Sequence, residues 1–206
     1  MRLLNGARDA LLRHFIEYRD SAMTVKSMCY EGSDLVGFYL HGAGGPAGRT
    51  FEQILQLSDQ DLERRHDYIQ WIFPTFARSD VVPEAPSLTT EAAISLRASP
   101  ITRPRAVAAL VRMLEFYGME LDDDLEEPTI ARSADEFARR RSVWMTPGNH
   151  NYRRITRMLA SLQILGCPQF AVALLDCLSL CYRDHGGLIG PSAMEHWKRA
   201  LGARRI

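Results

Sequence analysis

"HNYRRITRMLASLQILG" (150–166), followed by "CPQFAVALLDCLSLCYRDHGG" (167–187), decides the fold of this 206-residue chain. In the first segment Ile155, Leu159 and Leu162 gather on one side of a wheel that advances about 100° per residue. The second opens with Pro168, a residue suited to the first turn of a helix. It is apolar nearly all round, which predicts the central buried helix. Gly166 and Pro168 break the two apart, so together they read as a helical hairpin.

The same periodicity runs outward from the hairpin. "TRPRAVAALVRMLEFYG" (102–118) carries Val107, Leu110, Val111, Leu114 and Tyr117 on one stripe and stops at Gly118, a natural C′ residue. "TFEQILQLS" (50–58) starts at Thr50, a good N-cap. "SDQDLERRHDYIQWIF" (58–73) starts at Ser58 or Asp59 and reads as one helix ended by Pro74, which removes a donor and restricts Phe73. "TTEAAISLRAS" (89–99) opens a short helix at a Thr cap, "SADEFARRRSVW" (133–144) has Ser133 placed to cap it, and "PSAMEHWKRAL" (191–201) closes the chain. Between these, "SDVVPEAPSL" (79–88) reads as an extended crossing and "ELDDDLEEP" (120–128) as a solvated loop. The prediction is an all-α fold, a single compact multi-helix domain over residues 35–206. An N-terminal helical extension over 1–34 precedes it, with an amphipathic helix at "DALLRHFIEY" (9–18); "DLVGFYL" (34–40) reads as a short strand or extended arm.

Composition narrows the function classes. Lys plus Arg and Asp plus Glu are equal at 25 each, so no global field steers the chain to nucleic acid. Cys29, Cys167, Cys177 and Cys181 form no CxxC pair, and a chain with 46% hydrophobic residues has no need of disulfides. The N-terminus lacks the apolar run of a signal peptide, and "FAVALLDCLSLCY" is too short to span a bilayer and holds Asp176. The expectation is a soluble, cytoplasmic protein with no membrane span.

Four places invite a chemical reading, each beside a structural one. "HGAGGPAGRT" (41–50) sits before a helix like a phosphate loop, but Ala43, Arg49 and Pro46 stand where a Walker motif needs Gly, Lys and a free amide; a flexible surface loop is expected. Cys177, Cys181 and His185 share a helix face that could hold zinc, although core packing suits so apolar a helix better, so no metal site is assigned. His150, Arg153, Arg154 and Arg157 lie opposite the apolar stripe of their helix, near its positive dipole end. They require compensation, either from carboxylates in "DLE" (61–63) or "ELDDDLEE" (120–127) or from an anionic ligand. In "LERRHDYIQWIFP" (62–74), Tyr68, Trp71 and Ile72 face one way and His66, Asp67 and Gln70 another. His66 and Asp67 are adjacent in sequence, so they form no dyad within a helix. Neither a G-x-S-x-G elbow nor HExxH is present, and no catalytic residue or cofactor is assigned.

Taken together, "GRTFEQIL" (48–55), "LERRHDYIQWIFP" (62–74), "EAPSLT" (84–89), "FYG" (116–118), Trp144 and the block 150–166 resemble the conserved domain of the opioid growth factor receptor family. The resemblance covers roughly residues 35–182 and implies an α-helical domain. It implies that His150, Asn151, Arg154 and Arg157 fill motif positions, whereas Arg153 falls in a variable slot. The animal receptors bind the enkephalin pentapeptide in a growth-inhibitory pathway; the likeness does not extend to their acidic, repeat-rich C-terminal extension. The reading that follows is a helical binding domain for a small peptide or anionic small molecule. His66, Asp67, Gln70, Trp71, His150, Asn151, Arg154 and Arg157 would form one site, with the carboxylate on the arginines and the apolar part on Trp71 and Tyr68. Two alternatives stand beside it: an enzyme with His66 or His150 as general base, and a homodimeric interaction scaffold with an exposed apolar patch.

Overall fold

A computed structural model describes residues 34–122 and 124–202. The expected extension over 1–34, its helix at 9–18 and Cys29 lie outside the described residues, apart from Asp34. Within them the chain forms α1 (Asp34–His41), a 3-10 turn (Pro46–Gly48), α2 (Phe51–Leu55), α3 (Asp59–Arg64), α4 (Ile69–Ile72), α5 (Thr90–Ala98) and α6 (Thr102–Tyr117). There follow β1 (Met119–Leu121), β2 (Ile130–Arg132), α7 (Phe137–Trp144), α8 (Asn151–Ile164), α9 (Pro168–Ile189) and α10 (Pro191–Gly202). The fold is therefore mostly α, with one short antiparallel hairpin that pairs Met119 with Arg132 and Leu121 with Ile130.

Several of the expected punctuation marks act as their chemistry demands. Thr50 and Gln53 complete a reciprocal capping box on α2, Ser58 caps α3, and Thr89 accepts the Ala92 amide of α5. Gly118 ends α6 in the left-handed region at φ 75°, where a Cβ would stand 2.8 Å from the Phe137 backbone, so both conformation and space favour glycine. Ser133 does not cap α7 with its side chain; a turn intervenes, and α7 begins at Phe137 with no side-chain cap. The acidic stretch is the tip of the β1–β2 hairpin, where Asp122 accepts from the Thr129 amide and hydroxyl.

Three expectations change. "DLVGFYL" is helical, because Leu35, Phe38 and Tyr39 recur on one face and are fully buried. The single helix expected over 58–73 is two, α3 and α4, separated by residues 65–68. The cause is remote: Arg154 donates to the carbonyls of Glu63 (3.3 Å) and Arg65 (2.7 Å), which a continuous helix would use for Asp67 and Ile69. Finally, the central helix is α6 rather than α9. Ala106, Ala108 and Ala109 keep α6 slim enough to be packed by α1, α2, α5, α7 and β1. α9 packs on α8, α10 and β2 and leaves Val172, Leu180 and Leu188 exposed. It also kinks at His185 (φ −139°) and runs on through Gly186 and Gly187 to Ile189.

Candidate functional site

The two polar words of the sequence meet where the end of α3 and the 65–68 turn face the start of α8. Asn149 prepares this end of α8: its side chain donates to the Val143 carbonyl, while its Oδ1 accepts the Asn151 amide at 2.9 Å. His150 and His66 then stand edge to face, with ring centroids 5.2 Å apart at 71°. His66 is exposed and His150 half-buried. Glu63 lies beneath them, accepting from Asn151 Nδ2 at 3.1 Å. His150 Nε2 is 3.5 Å from the other Glu63 oxygen, an electrostatic contact that makes no hydrogen bond. The carboxylate expected from "DLE" is thus Glu63, and it offsets the cations at the N-terminal end of α8.

Arg154 and Asn151 do not lie on an open polar face. Both are buried, at 4% and 0% exposure. The Arg154 guanidinium donates to Asn151 Oδ1 (2.9 Å) and to the two α3 carbonyls, stands 3.9 Å from Glu63, and covers the Tyr68 ring at 5.4 Å. A cation on the last carbonyls of α3 suits the dipole of that helix. Tyr68 is itself fully buried and donates to the Leu62 carbonyl; burial pushes its phenol up to about 12. It is therefore core, not a pocket wall. A wheel drawn on α8 alone could not separate Arg154 from its neighbours, because the segment it buries against is also polar.

The remaining groups divide in the same way. Gln70 is buried and donates to Ser79 Oγ at 3.1 Å, with Oε1 left without a partner. Trp71 is half-buried and meets Phe38 edge-on at 5.2 Å. Asp67 pairs with Arg49 at 2.6 Å. The glycine-rich segment is accordingly a closed turn rather than a free loop. Gly45 donates to the Arg49 carbonyl, and a Cβ on it would lie 2.8 Å from Phe38 and 2.9 Å from Trp71. Arg157 donates to the Phe73 carbonyl at 2.9 Å, while a second guanidinium nitrogen is buried without a partner. Desolvation alone lowers its pKa to about 10. His150 is also lowered, by burial first and then by Arg154, with Glu63 acting in the opposite sense.

Cys177 and Cys181 are buried in the core, and His185 meets Arg141 instead (3.2 Å); among the described residues no group of His, Cys, Asp or Glu could hold a metal ion. None of the described helices is long and apolar enough to cross a membrane. Sequence reasoning passed over Arg105, which is 6% exposed, donates to the carbonyls of Phe38 and Tyr39, and pairs with Glu52 at 2.6 Å. Its one signal was a charge embedded in the alanine-rich stripe of α6.

The arrangement can be compared with known proteins. The family described as "Opioid growth factor receptor (OGFr) conserved region" matches residues 36–203. The human opioid growth factor receptor is 36% identical over 166 residues, covering 77% of this chain and 24% of that protein. The mouse receptor is 34% identical over 133 residues (63% and 20%), and the opioid growth factor receptor-like protein 1 of Xenopus tropicalis 33% over 133 residues (63% and 25%). The chain thus spans about a quarter of the length of these relatives. No solved structure matches it. With its conserved region filling most of the described residues, the chain belongs to the opioid growth factor receptor family.

Proposed function

We propose that this domain is a ligand-binding module that takes a small peptide, or another anionic ligand, between the 66–71 segment and the exposed side of α8. Arg157 carries the reading. It is a largely desolvated guanidinium with one unpartnered nitrogen and no carboxylate paired with it among the described residues. A ligand carboxylate would supply that partner as a charge-assisted hydrogen bond. His150 lies two helical turns away, about 10 Å along α8, within the reach of an extended pentapeptide of roughly 17 Å. In this arrangement His66 and His150 contact the ligand backbone, and the half-buried Trp71 takes an apolar side chain. Asp67 orients the segment through Arg49. Asn151, Arg154 and Gln70 are buried supports. The names of the receptor relatives fit a ligand-binding role.

Titration calorimetry with an enkephalin pentapeptide, as free acid and as C-terminal amide, tests this. The free acid should bind and the amide bind roughly tenfold more weakly, since a charge-assisted hydrogen bond contributes about 1.5–3 kcal/mol. Arg157→Ala should erase the difference. Equal binding of acid and amide, or no saturable binding of either, overturns the reading. The lowered pKa of His150 favours a second reading, an enzyme in which this neutral imidazole is the general base. On that reading a His150→Ala variant with an unchanged circular-dichroism spectrum loses turnover in a screen of anionic ester substrates.

A further inference from the structure

A second concave site lies away from the histidine pair, where the end of α5, the start of α6 and the α8–α9 turn meet. It is a surface cleft of about 450 Å³ lined by Arg97, Ser99, Thr102, Arg103 and Gly166 among others, and no acidic residue lines it among the described residues. Three features of this chain converge there. The 16-residue helix α6 points its N-terminus at the cleft with no acidic residue in its first turn and no side-chain cap. Two guanidiniums flank that terminus. Arg97 is exposed and reaches over the Gly166 turn, where an added Cβ would lie 3.9 Å from its Nε. Among the described residues, Arg103 is held by the Leu125 carbonyl and by Glu126, whose side chain is 82% exposed. A pair so open to water competes weakly with a ligand. The third feature is Thr102: it is 1% exposed, lines the cleft, and its hydroxyl has no hydrogen-bond partner among the described residues.

A buried hydroxyl without a partner is uncommon and disfavoured. Here it stands beside the positive end of a helix and two cations, so the missing partner is an acceptor of high negative charge. We propose that this cleft binds the phosphate group of a small phosphomonoester, Thr102 Oγ1 and the α6 terminus holding one face and Arg97 and Arg103 the other oxygens. A phosphate suits it better than a carboxylate because three oxygens and a charge near −2 can engage both guanidiniums and the hydroxyl together. The cleft has room for more than the phosphate alone.

The probes are inorganic phosphate and phenyl phosphate, with acetate as the carboxylate comparator, titrated calorimetrically at matched ionic strength. Both phosphates should bind saturably and acetate at least about tenfold more weakly. Thr102→Val, which keeps the shape and removes the hydroxyl, and Arg97→Ala should each weaken phenyl phosphate by roughly tenfold or more. Arg199→Ala, on the separate cleft between α8 and α10, should leave binding unchanged. Arg97 is exposed, so its variant decides the matter should Thr102→Val fold poorly. Acetate binding as tightly as phosphate, an equal loss in Arg199→Ala, unchanged binding in Arg97→Ala, or no saturable phosphate binding overturns the proposal.

Discussion

Arg105 on α6 and Arg154 on α8 close the C-terminal ends of other helices from within the core, but they neutralise their charge differently. Arg105 takes the Phe38 and Tyr39 carbonyls at the end of α1, pairs with Glu52 at 2.6 Å and covers the Phe51 ring at 5.1 Å. Arg154 takes the Glu63 and Arg65 carbonyls at the end of α3 and the Asn151 amide oxygen. Its nearest acid, Glu63, is 3.9 Å away and is shared with Asn151 and the half-exposed His150. One clamp is closed by its own carboxylate. The other shares its countercharge with a half-buried histidine, where protonation or a ligand can change it. The same buried cation thus holds the fold at one place and links the fold to a candidate site at the other.

Removing the closed clamp should have the largest effect. Arg105→Met keeps much of the apolar stem but leaves two carbonyls at the end of α1 without their donor and breaks the direct pair with Glu52, whose half-exposed side chain keeps water, so a loss of about 3 kcal/mol is expected. Urea denaturation measures it, with the midpoint falling and the slope unchanged. Arg154→Met should cost less, about 2 kcal/mol, because the lost bonds go to carbonyls and an amide and the nearest carboxylate oxygen is 3.9 Å away. Equal losses at the two positions would show that Glu52 adds nothing to the Arg105 clamp and would remove the distinction.

The contrast also explains what the sequence could and could not disclose. Helices whose ends depend on nearby residues were legible: Thr50, Ser58, Thr89 and Gly118 act locally, and each does what its side chain or its lack of one dictates. Boundaries fixed by distant arginines were not. The break at 65–68 depends on a guanidinium from α8, and the end of the helix formed by "DLVGFYL" is closed by one from α6. A short apolar run does not distinguish strand from helix by itself. The site was legible in part. The meeting of the 66–70 segment with the start of α8 was expected from the family-like words, and "DLE" was one of two carboxylate sources that the cations at a helix N-terminus left open beside an anionic ligand. That Arg154 and Asn151 turn inward was hidden, since amphipathicity marks a polar face but not whether another polar surface covers it. Arg105 was hidden for the opposite reason, as its partner Glu52 and its stack on Phe51 come from an element far away in sequence.

The shared countercharge of Arg154 has a pH signature that the Arg105 clamp lacks. In the folded chain His150 resists protonation because burial and the neighbouring Arg154 disfavour its cation, with His66 adding to this and Glu63 opposing it. The unfolded chain takes up that proton near pH 6.5. Below this value the unfolded state therefore binds more protons, so the contribution of His150 is intact above about pH 6.5 and declines as the pH falls toward its lower folded value. Urea unfolding between about pH 7.5 and 5 should show stability falling on acidification, and His150→Gln should flatten that slope. Arg154→Met should flatten it in part, since it removes the second cause of the shift. Arg105→Met should move the whole curve down and leave its slope unchanged. The carboxylates of both regions are common to all variants, so the difference between curves isolates the imidazole. A His150→Gln slope identical to that of the parent chain would show that the histidine is not the exposed end of this charge network.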